Sequence, residues 1–139
     1  MPPLTRLFIK TALVWFVTAL GFALLLVLQY AVTMPTFVGA FGPIYFHLFM
    51  VGWVTQLIFG VAYWMFPKFN REQPRGHEGL AWVVYWLLNV GLALRLLGEP
   101  LTVLQPGAGW RYLLPVSAVF QWTAGIVFVT NTWPRVRER

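Results

Sequence analysis

Cysteine is absent from this 139-residue chain, and so is aspartate. The first absence excludes disulfides, thiolate metal sites and thiol catalysis. The second leaves four glutamates, all near ends or loops of apolar runs, so paired-carboxylate chemistry inside an apolar core is excluded. Charge of either sign is scarce: 10% of residues are charged, against about a quarter in soluble domains. The net charge of +6 invites a nucleic-acid partner, but the basic residues flank apolar runs and form no patch. No nucleic-acid binding is expected.

What is present is apolar: 59% hydrophobic residues and 18% aromatics, eight of them Trp. The length suits one domain, residues 1–139. Four runs are long enough for a 30 Å hydrocarbon core, which takes roughly 20 helical residues. They cover about 7–32, 42–66, 80–97 and 112–132. The first follows Arg6 and Lys10 like a signal peptide, but it is too long and has no small-residue cleavage site, so it reads as a retained helix. Gly98-Glu99-Pro100 predicts the end of the third, and Pro115 is tolerable in the first turn of the fourth. The expected fold class is an all-α integral membrane protein, a four-transmembrane-helix bundle in contact with the lipid bilayer.

Lys and Arg set the expected orientation. Arg6 and Lys10, the loop cations Lys68, Arg71 and Arg75, and the tail arginines 135, 137 and 139 fall on one side. Arg95 and Arg111 fall on the other. The termini are therefore expected inside (N-in/C-in).

The second run, FGPIYFHLFMVGWVTQLIFGVAYWMFPKF, carries His47 about 7 Å along the axis from Gly42. A polar ring in lipid is a functional-site candidate. The third helix brings Arg95 to much the same depth. An imidazole and a guanidinium in one leaflet suit a haem, with nitrogen on the iron and cation on a propionate. They equally suit an inter-helix hydrogen bond and an arginine reaching for headgroups. The spacing leaves both open. At 100° per residue His47 shares a face with Val51, Val54 and Ile58, while Gly52, Gln56, Gly60 and Tyr63 lie opposite, where the small residues predict close packing within the chain. Asn89, Ser117, Gln121, Thr123 and Gln56 are expected to bond between helices, and His77 to be solvated. Trp82, Trp110 and Trp133 read as interface anchors. Trp53, Trp64, Trp86 and Trp122 suit either the bundle or a cofactor cleft.

From His47 onward, HLFMVGWVTQLIFGVAYWMFPKF resembles the second helix of subunit I of haem-copper oxidases and nitric-oxide reductases. RLFIKTALVWFVTALGFALLL and LAWVVYWLLNVGLALRLLGEP resemble the neighbouring helices, so the likeness covers about the first 100 residues. It implies His47 as an axial ligand of one haem b per chain, with Arg95 as a propionate partner. The family subunit has about twelve helices and a histidine cluster for a second metal; this chain has two histidines in all, one of them in an apolar run. The resemblance therefore implies binding or sensing of a gas (NO, CO or O₂), or electron transfer, without a binuclear centre. Three four-helix copies would rebuild the family ring, so a homotrimer is favoured over a dimer. The expected location is a prokaryotic cytoplasmic (inner) membrane. The alternative is a haem-free structural or assembly subunit of a respiratory membrane complex.

Overall fold

A computed structural model describes residues 1–71 and 74–136. Arg137 and Arg139, counted above for orientation, lie outside the described residues. Among the described residues four helices are long and apolar enough to cross a membrane, and no strand forms beyond one isolated bridge between Pro74 and Gly76.

The first helix is Pro3–Leu28. It begins earlier than expected because proline is well suited to a first turn, where its missing N–H would have no helical partner. It stops short of residue 32. There Gln29 turns its side-chain amide onto Leu26 O at 2.7 Å, and the following N–H groups bond back in tight turns. The second span, Thr36–Met65, is composite. A 3-10 turn, Thr36–Ala40, leads into an α-helical segment, Phe41–His47. A π-helical segment follows, Leu48–Thr55, then α-helix again, Gln56–Met65. It ends where Phe66, preceding Pro67, is forced into extended backbone.

The third helix, Glu78–Leu104, does not stop at Gly98-Glu99-Pro100. Proline removes one backbone hydrogen bond, but unwinding the turn in lipid would strand several polar groups. Two local contacts support continuation: Thr102 Oγ1 donates to Gly98 O at 2.6 Å, and Gly98 lies flush against Leu113 and Leu114. Gly109, at φ 77°, makes the left-handed turn that returns the chain. The fourth helix is Leu113–Thr132, with short 3-10 turns at both ends.

The helices pack as two antiparallel hairpins, first with second and third with fourth. In the first hairpin, a Cβ on Gly52 would come within 2.8 Å of Trp15 Cβ, and one on Gly60 within 2.7 Å of Phe8 Cβ. In the second, Ser117 Oγ reaches Gly91 O at 2.6 Å across the interface. The hairpins join through polar and aromatic contacts. Trp15 Nε1 donates to Asn89 Oδ1 at 2.7 Å, Thr11 and Tyr85 hydroxyls meet at 2.9 Å, and Phe59 stacks on Phe128 at 3.8 Å. Two apolar clusters fill the interior. Leu4, Phe8, Tyr63, Val84 and Leu88 belong to one, and Ala19, Ile44, Leu48 and Leu92 to the other. The outer surface is also apolar, as a lipid-facing surface must be: Leu13, Val14, Val17, Leu24, Val119 and Trp122 are all exposed.

Candidate functional site

The expected two-faced second helix is what forms. Gly52, Gln56, Gly60 and Tyr63 are buried, and Ile58 on the His47 side is exposed. The buried side extends further than a regular α-helix allows. Ile44, Leu48, Gly52, Gln56 and Gly60 are all buried at steps of four. In an α-helix each such step overshoots a turn by about 40°. The π segment bonds i→i+5, so its turn takes more residues and the drift is undone. Thr55 Oγ1 follows the same wide turn, donating to Met50 O five residues back at 2.8 Å.

His47 is the last residue before that segment, at the rim of the bundle. Its inner neighbours Ile44 and Leu48 pack into the core with Ala19 and Leu92. Its outer neighbours Phe46 and Met50 are exposed. His47 Nδ1 lies 2.9 Å from Pro43 O. A carbonyl can only accept, so Nδ1 carries the proton and Nε2 is left with its lone pair. That is the arrangement of a ligating histidine, oriented by a backbone carbonyl behind it.

Arg95 is brought to the same level: its helix neighbours Leu92 and Leu96 pack in one cluster with Ile44 and Leu48, which flank His47. It arrives already paired. Arg95 Nη2 lies 3.1 Å from Glu99 Oε1, one helical turn on, with both side chains largely shielded. Arg95 Nε is buried with no acceptor. The sequence reading missed Glu99 as a partner, although an i,i+4 Arg–Glu spacing is a recognisable signal. The residues fit a haem in two respects: a free imidazole nitrogen at the rim, and an unsatisfied guanidinium donor at its level. Among the described residues no group of three or more His, Asp or Glu side chains converges as a further metal site.

The remaining polar residues divide between inter-helix and local contacts. Gln56 Nε2 reaches Phe8 O on the first helix at 3.4 Å, whereas Gln121 bonds within its own helix, its Nε2 reaching Ser117 Oγ one turn back at 3.0 Å. His77 is exposed, and its backbone N–H and C=O are both held by the Asn131 amide. Trp53 packs in the bundle against Phe16 and Phe49, whereas Trp64, Trp86 and Trp122 face outward.

Arg135 was expected as a tail charge that sets orientation. It is instead 2% exposed. Its guanidinium donates to Tyr63 O, Phe66 O, Pro67 O and Arg75 O at 2.9–3.4 Å. These include carbonyls left over at the end of the second helix, where no further N–H is available. No spacing rule connects residue 135 with residue 63.

A four-helix membrane protein with one histidine nitrogen presented at its rim is the class that fold and site define. Compared with known proteins, the chain matches the family described as Cytochrome C and Quinol oxidase polypeptide I over residues 3–133, and it belongs to that family. The match runs on through the fourth helix, beyond the portion whose likeness was apparent from its motifs. No curated protein and no solved structure matches it.

Proposed function

We propose that the chain binds one haem b through His47 Nε2 and serves gas binding, gas sensing or electron transfer in a prokaryotic cytoplasmic membrane. The observation that carries this reading is the Nδ1–Pro43 bond, which leaves Nε2 unprotonated at the rim of a family member's second helix. Pro43 O fixes the ring plane. Arg95 supplies a guanidinium donor for a propionate, and its pairing with Glu99 holds it oriented meanwhile. A bound haem supplies an iron that exchanges one electron and, with a position open, takes a diatomic gas. The rim position of His47 leaves the other side of such a group to a second copy, in the homotrimer favoured by the family ring or in a dimer. The cation distribution supports N-in/C-in.

The Arg95–Glu99 pair favours a second reading. It is electrically complete without a propionate, as in a haem-free structural subunit. An absorption spectrum of detergent-purified protein, oxidised and dithionite-reduced, separates the two. A Soret band that sharpens on reduction and is lost in His47→Ala is expected. A spectrum of tryptophan alone would leave the structural reading, and a band surviving in the mutant would place the ligand elsewhere. Addition of CO to the reduced protein shifts the band if an axial position is open.

A further inference from the structure

Two cavities follow one another at the far end of the second helix from His47. The first is an apolar groove of about 570 Å³ lined by Leu57, Ile58, Val61, Ala62, Met65 and Phe66. The second is a basic pocket of about 390 Å³ lined by Lys68, Asn70, Arg71, Pro74 and Arg75. From Leu57 to Phe66 the chain rises about 14 Å at 1.5 Å per residue, close to half of a roughly 30 Å hydrocarbon core. The groove thus has the depth of one leaflet, and the cations begin two residues beyond it, at headgroup level.

The cations are held on a fastened loop. Among the described residues no ion pair holds Lys68, Arg71 or Arg75. Their loop is latched at both ends: Arg135 binds Pro67 O and Arg75 O, and Asn131 binds the backbone of His77.

From this juxtaposition we infer that this end of the second helix binds one anionic phospholipid of the bilayer. An acyl chain lies in the groove, and the phosphate lies against Lys68, Arg71 and Arg75. A zwitterionic lipid gains less, because its ammonium group offsets the phosphate. Each basic residue near a headgroup is worth about fivefold in affinity. The site is separate from His47 and stands whether or not haem is bound.

The test uses the full chain purified in mild detergent, with retained lipid counted by intact-complex mass spectrometry against phosphatidylglycerol and phosphatidylcholine. One phosphatidylglycerol is expected to be retained in preference. Combined Lys68→Gln, Arg71→Gln and Arg75→Gln lowers its affinity about a hundredfold, while Lys68→Arg, Arg71→Lys and Arg75→Lys preserve it. Ile58→Trp and Met65→Trp, at two largely exposed positions, fill the groove and weaken retention without loss of helicity. This arm decides the matter should the charge-removed variant fail to fold. Equal retention of the two lipids would overturn the inference. So would retention unchanged in a helical charge-removed variant, or displacement of the lipid by inorganic phosphate. Disulfide cross-linking of Ile58→Cys to a second copy would show that protein, not lipid, covers the groove.

Discussion

Arg135 bears directly on stability. One guanidinium answers four carbonyls on two separate stretches, and the bond to Tyr63 O is buried, where water cannot replace the donor. Arg135→Ala is expected to cost about 3 kcal/mol, because it removes charge-assisted hydrogen bonds and leaves the buried Tyr63 carbonyl without its donor. Thermal unfolding in detergent measures this. Arg135→Lys restores little, since an ammonium cannot span the planar fork that the four acceptors require. His47 was legible in the sequence because a polar ring interrupts an apolar run. Arg135 was not, because an arginine after an apolar run looks the same whether it is solvated or folded back. The difference lies in contacts across some 70 residues, as in the Arg135–Tyr63 bond.

For whole helices, hydrophobic length identified the four spans, since lipid leaves the backbone no other solution. Local backbone form was less legible. The third helix runs past Pro100 because Thr102 and the Gly98 contact support it, and these are effects of the neighbouring helix that no stop signature encodes. The π segment is a clearer case. Leu48–Thr55 is composed of residues that would equally form an α-helix, and only the demand that positions 44 to 60 face one partner selects the wider turn. Deleting Met50, an exposed residue in that segment, should convert it to regular α-helix. The wider turn had absorbed the extra residue, so Gly52 keeps its place relative to His47 and positions beyond the segment turn by only about 40°. The expected result is unchanged helicity by circular dichroism with Gly52 still against Trp15, and a lowered melting temperature as Gly60 turns partly away from Phe8.

At the scale of the molecule, the absence of cysteine provides a direct test of topology. A single cysteine at Asn70 or at Gly107 is uniquely labelled, since the chain contributes no other thiol. With both termini inside, an impermeant maleimide should label Gly107→Cys in intact cells and Asn70→Cys only after permeabilisation. The reverse pattern would invert the bundle and move His47 to the inner leaflet. The four-helix class was legible from composition, and the family from three short stretches. The arrangement of helices was not, because apolar faces that meet protein and those that meet lipid have the same chemistry.

The latch at Arg135 also has a consequence in time. A ribosome makes the second helix some seventy residues before it makes the arginine that closes its end. Through that interval the carbonyls of Tyr63 and Phe66 lack their guanidinium partner, and the loop that follows is unfastened. Each hairpin can enter the bilayer when its own two helices are complete, but the first becomes permanent only on arrival of the last. The end of the second helix is therefore completed only once the fourth helix has been made. A nascent chain stalled before that point would remain open to membrane proteases at the loop between the second and third helices.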